Sequence, residues 1–530
     1  MGGACSRKRD QVDNEDGLHG GVCGRYQKSC SSKWLMTSFS RPPLDIQRGE
    51  GKCPSLMELC AYKICEDIDR YSTFSMLPRD ISQQIFNELV YSRYLTEVSL
   101  EAFRDCALQD LCLGQYPGVN DKWMDVIASQ GSSLLSVDLS GSDVTDSGLI
   151  HLKDCSNLQS LDFNFCIQIS DGGLEHLRGL SNLTSLSFRR NNAITAQGMK
   201  AFAGLINLVK LDLERCTRIH GGLVNLKGLM KLESLNIKWC NCITDSDMKP
   251  LSGLQKLTLL NLEGCPVTAA CLDSLSALGS LFYLNLNRCQ LSDDGCEKFS
   301  RLTNLESLNL DSCGIGDEGL VNLTGLCNLK CLELSDTQVG SSGLRHLSGL
   351  TNLESINLSF TGISDGSLRK LAGLSSLKSL NLDARQITDT GLAALTSLTG
   401  LTHLDLFGAR ITDSGAAYLR NFKNLRSLEI CGGGLTDAGV KHIKDLSSLK
   451  LLNLSQNCNL TDKTLELISG LTGLVSLNVS NSRITSAGLR HLKPLKNLRS
   501  LTLESCKVTA NDIKRLQSRD LPNLVSFRPE

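Results

Sequence analysis

The histidines of this chain lie at repeated positions rather than beside distinct catalytic partners. Five of the eight occupy the same place in separate copies of one sequence unit: His151, His176, His346, His442 and His491. General acid–base catalysis needs a particular reacting group within hydrogen-bonding reach, whereas a copied position gives every histidine similar surroundings. This register indicates a repeated surface, so we expect no enzyme activity.

A glycine-rich segment at residues 314–319 has the G-x-G-x-x-G spacing that binds dinucleotide phosphates when it links a strand to a helix. The same frame recurs at residues 362–366 as Gly-Ile-Ser-Asp-Gly, within another copy of the unit. The repeat therefore accounts for most of the match, and we expect no nucleotide or other cofactor.

The chain has 23 cysteines, an odd number, and many of them share one repeat position. That position holds Cys166, Cys216, Cys240, Cys265, Cys289, Cys313 and Cys506. Other cysteines, such as Cys53, Cys60, Cys65, Cys327 and Cys331, lack the paired spacing and nearby histidines of a zinc site. We therefore expect reduced thiols in a reducing compartment, with no metal site and no disulfide framework.

The first six residues, Met-Gly-Gly-Ala-Cys-Ser, fit the signal for N-myristoylation with Gly2 as the acceptor. One myristoyl chain binds membranes weakly, and Cys5 is placed to receive a palmitoyl chain as a second anchor. An unmodified tail is the alternative, and the polar composition of residues 1–52 predicts a disordered segment in either case. Because no apolar signal segment follows Met1, we expect a cytoplasmic protein that is not secreted and that lies at the plasma membrane when acylated.

One phrase, L-x-x-L-x-L followed by a polar turn and I-T-D-x-G-L, recurs about every 24 residues. The copies begin at Leu158, Leu183, Leu208, Leu232, Leu257, Leu281, Leu305, Leu329, Leu353, Leu377, Leu401, Leu425, Leu449, Leu474, Leu498 and Leu524, with weaker copies at Leu108 and Leu134. After Leu305, alternation sends Leu308 and Leu310 inward and leaves Ser307 and Asn309 outside, so each copy adds one strand to a parallel sheet. This pattern is typical of leucine-rich repeats. It predicts that residues 105–530 form an α/β solenoid, a right-handed βα horseshoe with its parallel sheet on the concave face.

Residues 53–104 are predicted to form a helical region ahead of the repeats. Ser55 and Glu58 fit a capping box at the start of a first helix, and Leu56, Cys60 and Ile64 follow along one face of it. Such helices either bind a partner or cap the exposed end of the first repeat, because solenoids need end caps.

The second helix of this region is expected to begin with Pro78 after Leu77, and to carry Ile81, Ile85 and Leu89 along one stripe. This L-P-x-x-I-x-x-x-I-x-x-x-L pattern ahead of I-T-D-x-G-L repeats resembles the F-box/leucine-rich-repeat family, particularly its plant members with cysteine-containing repeats. The resemblance implies that these five residues bind the adaptor of a cullin-RING ubiquitin ligase. It also implies that the repeats hold the protein to be ubiquitinated.

The first helix supports a competing resemblance. Ser55-Leu56-(x3)-Cys60-(x3)-Ile64 resembles the elongin-C-binding box, and the segment from Leu77 to Ile81 resembles the cullin box that follows it in such receptors. Both resemblances imply ubiquitin ligation with a cullin, through different adaptors. A scaffold or sensor that recruits no ligase stays open as a further alternative.

The outward strand positions are mostly small and polar, which favours a protein partner on the concave face. Against this background we expect the partner-binding residues to be Arg189, Arg190, Arg215, Lys238, Trp239, Tyr283, Arg288, Phe360 and Phe407. Exposed aromatic and arginine side chains dominate the energy of many interfaces. A formal net charge of −1 argues against general nucleic-acid binding. The chain is therefore predicted to be a non-catalytic protein-interaction module.

Overall fold

The computed structural model describes residues 55–383 and 386–528. Within them, eighteen strands form one parallel sheet in which each strand pairs with the next along the chain. From β1 to β18 the strands are Asp110–Cys112, Ser136–Asp138, Ser160–Asp162, Ser185–Ser187, Lys210–Asp212, Ser234–Asn236, Leu259–Asn261, Tyr283–Asn285, Ser307–Asn309, Cys331–Glu333, Ser355–Asn357, Ser379–Asn381, His403–Asp405, Ser427–Glu429, Leu451–Asn453, Ser476–Asn478, Ser500–Thr502 and Ser526–Arg528. The predicted solenoid is confirmed, including the two strands that follow the weaker anchors Leu108 and Leu134.

The strands are connected by short helices. The α-helices are α1 (Leu56–Glu66), α2 (Arg79–Ser92), α3 (Glu97–Glu101), α4 (Asp121–Ser129), α5 (Asp146–Leu149), α6 (Asp171–Leu174), α7 (Leu272–Leu275), α8 (Asp317–Leu320), α9 (Asp365–Leu368), α10 (Asp389–Ala394), α11 (Asp413–Ala416), α12 (Asp437–Val440), α13 (Asp462–Ile468) and α14 (Ala510–Arg519). The 3₁₀ helices are Ile68–Arg70, Gly131–Ser133, Ile150–Asp154, Glu175–Leu177, Gly198–Gly204, Gly222–Leu226, Asp245–Gly253, Ala269–Cys271, Cys296–Arg301, Val321–Leu323, Gly343–Leu347, Arg369–Leu371, Ala417–Asn421 and Ser486–Leu492. Most repeat helices span one or two turns, too short to be stable alone, so packing against neighbouring repeats must hold them.

The core is a stack of leucine layers between the sheet and the helices. In one repeat Leu305, Leu308 and Leu310 are fully buried, as the alternation predicts. Leu308 stands opposite Leu332 of the next strand, so equivalent side chains repeat along the sheet. Each repeat thereby buries the apolar face of its neighbour, and the stack gains most of its stability from these contacts.

The Thr/Ser-Asp pair and the glycine of the repeat join consecutive helices to one another. Asp146 accepts hydrogen bonds from the backbone amide of Ser170 (2.7 Å) and from its hydroxyl (2.5 Å), one repeat further on. A Cβ atom at Gly173 would lie 2.5 Å from Oδ1 of Asp146, so that position has no room for a side chain. Ser170 meanwhile caps its own helix, α6, by accepting from the amide of Gly172. The serine thus caps its own helix and is also bound by the aspartate of the preceding repeat.

The cysteines at the shared repeat position point into the stack. The thiol of Cys240 lies 3.1 Å from the carbonyl oxygen of Leu213, and Cys265 makes the same contact to Ile237. In another repeat Asn457 replaces the cysteine and donates to the carbonyl of Ile430 at 2.8 Å. Thiol and amide therefore satisfy the same backbone carbonyl between strands.

The helical region covers the start of the sheet. Strand β1 has no strand before it, and the side chain of Gln83 on α2 takes that place. Its Oε1 accepts from the amides of Gln109 (3.0 Å) and Asp110 (3.2 Å), and its Nε2 donates to the carbonyl of Asp110 at 2.6 Å. These bonds protect an edge that would otherwise be open to pairing with another chain. The helical region therefore caps the solenoid.

Most of the apolar stripe of α2 is buried inside the helical region. Ile85 and Leu89 are fully buried, beside the ring cluster of Phe74, Phe86 and Phe103. The helix begins one residue later than expected, because Pro78 occupies the N-cap with extended backbone and Arg79 is the first helical residue.

Candidate protein-binding surfaces

The open face of the sheet is a polar floor, formed by the strand residues whose side chains point away from the leucine core. Two basic side chains predicted to bind a partner are neutralised on this floor. The guanidinium of Arg189 lies 2.6 Å from the carboxylate of Asp212, and the ammonium of Lys238 lies 3.0 Å from the carboxylate of Glu263. Asp212 is fully buried and also accepts a hydrogen bond from the side-chain amide of Asn236. Arg189 and Lys238 therefore hold the floor together more than they offer free charge.

Tyr283 was predicted to be exposed, and the structure corrects this. Its ring lies along the floor with only 3% of its surface accessible, and its hydroxyl makes no hydrogen bond within the described residues. Burial raises the pKa of this phenol, and the nearby charge of Glu263 raises it further. The small side chain of Ser307 on the neighbouring strand leaves room for the ring. Phe407, also on the floor, is half-buried.

Crowded carboxylates make the floor acidic at its start. Burial raises the pKa of Asp162 to about 7, and repulsion from Asp138 on the adjacent strand adds to the effect. Asp162 accepts hydrogen bonds from the amide and side chain of Asn164, which limits its cost when ionised. The floor therefore includes a carboxyl group that titrates near neutral pH.

A second surface, which we call the rim, lies three residues beyond the end of each strand. At this position, seven residues after the anchor leucine, the backbone adopts the left-handed conformation in repeat after repeat. The non-glycine rim residues are Gln115, Phe165, Arg190, Arg215, Trp239, Arg288, Ser312, Asp336, Phe360, Gln456, Asn481 and Ser505. Gly141, Gly264, Gly408 and Gly432 hold the same position in other repeats. A non-glycine residue there costs about 1–2 kcal/mol.

Five of the residues predicted to bind a partner from the concave face of the sheet lie instead on the rim. Arg190, Arg215, Trp239, Arg288 and Phe360 lie on it, and not on the strands. The alternation rule ends with the strand, and the left-handed residue turns its side chain outward at the edge of the sheet. The nine predicted residues thus divide between two neighbouring surfaces.

Aromatic and arginine side chains on the rim stack on one another. The guanidinium of Arg190 lies 5.2 Å from the ring centre of Phe165, and that of Arg288 lies 5.7 Å from the ring centre of Trp239. Between the last two stands Gly264, where a Cβ atom would overlap the Trp239 ring. The indole therefore crosses one repeat to reach the arginine of the next. Phe165 was not predicted, although it shares the register of Arg190 and Trp239.

The dinucleotide-like segment at residues 314–319 is filled by the preceding repeat. Asp293 accepts from the amide of Gly316 at 2.6 Å, and a Cβ atom at Gly319 would lie 2.5 Å from the same carboxylate. An acid in this place would repel a phosphate, and the helix that follows, α8, has only four residues. The glycines are explained by packing between repeats.

The helical cap has a second, exposed face. Large apolar side chains left in solvent there include Leu56 (79% exposed), Met57, Leu59, Met76 (91%) and Leu77. The residues predicted to bind an adaptor differ in exposure: Ile85 and Leu89 are fully buried, Ile81 is half-buried, and Leu77 and Pro78 are exposed. Of the elongin-C-box residues, Leu56 and Cys60 are exposed and Ile64 is half-buried.

The acylation residues Gly2 and Cys5, and the tail 1–52 as a whole, lie outside the described residues. No helix in the described part of the chain combines the length and apolar character needed to cross a bilayer. The cysteines of residues 55–383 and 386–528 are free thiols, and no three metal-binding side chains cluster there.

Comparison with known proteins agrees with this architecture. The leucine-rich repeat region matches residues 239–528, and a second leucine-rich repeat description matches residues 132–152 and 179–203. No curated protein matches the chain.

Among solved structures, a leucine-rich repeat protein of Leptospira interrogans is 23% identical, covering 74% of this chain and 94% of that chain with a TM-score of 0.53. The ectodomain of the Arabidopsis receptor kinase HAESA, solved with a peptide hormone, is 18% identical, covering 75% and 74% with a TM-score of 0.47. At 23% identity, the similarity to the Leptospira protein shows a shared fold and nothing more.

Proposed function

This chain belongs to the leucine-rich repeat proteins, and from that premise we propose that it is a non-catalytic scaffold that binds a protein partner on its solenoid. The observation that carries the proposal is the rim, where Arg190, Arg288 and Phe360 are exposed at equivalent positions of their repeats. Aromatic and arginine side chains held in fixed positions supply much of the binding energy in protein interfaces.

Cross-linking tests the scaffold role. The full chain would be expressed in cells, cross-linked and purified, and the captured peptides mapped by mass spectrometry. We expect cross-links from one partner protein to concentrate on the rim and floor, and to be lost in Trp239→Gly. Gln456→Gly is the matched control, because it makes the same change at the same repeat position further along the solenoid. Cross-links spread evenly over the helices would contradict the proposal.

We propose further that the partner is a substrate for ubiquitination, and that the helical cap recruits the ligase. The support is the exposed apolar set on the cap, since soluble proteins seldom leave side chains such as Leu56, Met57 and Met76 in solvent without a partner. Leu56 and Cys60 lie one turn apart on α1 and are both exposed, whereas the F-box-like stripe of α2 is buried. This distribution favours an elongin-C-type adaptor over an F-box adaptor.

Co-precipitation from cells tests the ligase role. We expect the wild-type chain to capture elongin C and a cullin, and Leu56→Ser with Cys60→Ser to reduce this capture at least tenfold. Tyr91→Ser with Tyr94→Ser, which changes two exposed side chains at the end of α2 and beyond it, is the control that should retain capture. If the wild-type chain captures no ligase adaptor, the ligase role is wrong and the scaffold role is unaffected.

A further inference from the structure

We propose that the rim between Phe165 and Arg288 binds an acidic, extended segment of the partner protein. The inference rests on the proposed protein-binding function and names the chemistry of the partner at that surface. Its basis is the charge, spacing and stacking of the side chains in six consecutive repeats.

The spacing of the rim suits an extended peptide. The backbone amide of Arg190 donates to the carbonyl of Glu214 at 2.8 Å, and the amide of Trp239 donates to that of Glu263 at 2.7 Å, one repeat further on. The parallel ladder thus continues to the rim, and its residues are separated by about 4.8 Å. Six repeats span about 24 Å, the length of about seven residues of extended chain.

The rim carries positive charge that is not neutralised within the protein. Three exposed arginines lie on the rim, namely Arg190, Arg215 and Arg288, and the exposed Arg218 lies three residues beyond it. None of the four makes an ion pair among the described residues. In these six repeats, the residues seven to ten places after the anchor include no aspartate or glutamate. This contrasts with the floor, where Arg189 is paired with Asp212. The free guanidinium groups can each bind a carboxylate through two parallel hydrogen bonds.

The stacked rings prepare two of these arginines for binding. Phe165 and Trp239 contact the guanidinium groups of Arg190 and Arg288, which restricts the rotation of both long side chains. A guanidinium that stacks on a ring keeps its N–H groups at the edge, free to bind a carboxylate. Because part of the ordering entropy is lost before the partner arrives, binding is favoured.

The backbone gives an independent reason to assign a role to these side chains. Four described repeats have glycine at the rim, which shows that the fold does not need a side chain there. Four non-glycine residues nevertheless occupy this position with an unfavourable left-handed backbone: Arg190, Arg215, Trp239 and Arg288. Strain of this kind is concentrated at binding sites, where it is offset by what the residue contacts.

Charge also limits where the acidic segment can lie. The neighbouring floor carries Asp138, Asp162 and Glu214, which repel an acidic chain from the middle of the sheet. Further along, the rim itself turns acidic at Asp336. The segment is therefore confined to the edge of the sheet, over the first half of the solenoid.

Peptide selection tests the proposal. A displayed library of random peptides about ten residues long, enough to span the six repeats, would be panned against the full chain and against a triple variant. The variant is Arg190→Gly with Arg215→Gly and Arg288→Gly, which removes three charges and relaxes the backbone, so that it should fold. The charge-matched control is Arg345→Gln with Arg490→Gln and Arg515→Gln, three exposed arginines on the helices.

We expect the wild-type chain and the control to select peptides rich in aspartate and glutamate. The triple variant should bind those peptides at least tenfold more weakly, and added salt should weaken wild-type binding. Selection of neutral or basic peptides, or of none, would overturn the proposal while leaving the scaffold function to its own cross-linking test. Tighter competition by a single-stranded RNA of equal length than by the selected peptide would also overturn it.

Discussion

The carboxylate of Asp413 accepts two hydrogen bonds from Thr436 in the next repeat, one from the backbone amide at 2.8 Å and one from the hydroxyl at 2.6 Å. The amide of Gly439 adds a third at 2.9 Å. One aspartate thus binds the first turn of the following helix, α12, and this arrangement recurs with small variations along the stack. The helices are joined by directed polar contacts as well as by their leucines.

Gly439→Ala should destabilise the protein by about 1–3 kcal/mol, because the added Cβ atom would lie 2.5 Å from the Asp413 carboxylate. Thermal unfolding followed by circular dichroism measures the effect. The control is Gly366→Ala in α9, where the new atom meets nothing within 4 Å. There we expect a gain of up to about 1 kcal/mol, since alanine is the better helix former. Equal behaviour of the two variants would disprove the steric account.

Gln83→Ala should cost about 1–3 kcal/mol and should promote self-association, because it leaves the amides and carbonyl at the edge of β1 without their partner. Urea unfolding and light scattering report the two effects. Its neighbour Gln84 makes no hydrogen bond to the sheet in the described structure, so Gln84→Ala should change stability by less than about 0.5 kcal/mol. A monodisperse Gln83→Ala protein of wild-type stability would show that α2 is not the cap.

Alkylation of the native protein should separate the thiols into two classes. Burial raises the pKa of Cys216 and Cys265 to about 12, whereas Cys60, Cys327 and Cys458 are exposed. This pKa is three pH units above the ordinary value of 9.0, which reduces the thiolate fraction at neutral pH about a thousandfold. The buried pair should therefore react slower, by at least that factor, than a thiol with the ordinary value. Peptide mass spectrometry after a short iodoacetamide pulse measures this, and denaturation should abolish the difference. Rapid labelling of Cys265 in the folded protein would contradict it.

The stability of the fold should fall as the pH rises from about 4 to about 7, in part because of Asp162. Its folded pKa of about 7 exceeds the ordinary value of 3.8, so the folded state holds the proton more tightly in this window. Asp162→Asn removes that dependence. Relative to wild type, it should gain of order 2 kcal/mol between pH 5 and pH 8, as measured by urea unfolding. A constant difference across this range would show that Asp162 has an ordinary pKa.

The regular spacing of the leucines was enough to predict the strands, because burial on one face of a strand follows directly from alternation. The same sequence could not show what covers an apolar stripe. Ile81, Ile85 and Leu89 correctly predicted a helix, yet Ile85 and Leu89 are fully buried in the folded chain. Amphipathicity indicates that a face is buried, and only the three-dimensional structure identifies its neighbour.

Predictions from short sequence patterns were also incomplete beyond the strand ends. The Thr-Asp pair is explained as a helix cap within one repeat, so its second role, a bond to the next repeat, gave no separate signal. Trp239 and Arg288 were recognised by residue type, but their outward direction depends on a left-handed backbone that alternation does not describe. Tyr283 lies on a strand, and alternation directs its side chain to the open face of the sheet. It is nevertheless buried, because the neighbouring Ser307 is small and leaves room for the ring on the floor.

The rim keeps one backbone conformation in every described repeat, although its residue varies among glycine, serine, aspartate, asparagine, glutamine, phenylalanine, tryptophan and arginine. Recognition at this position is therefore separate from folding. A single substitution there can alter affinity without disturbing the leucines beneath. Specificity in such a molecule can therefore diverge one module at a time, and a designer could exchange ligands by rewriting a single column of the repeat.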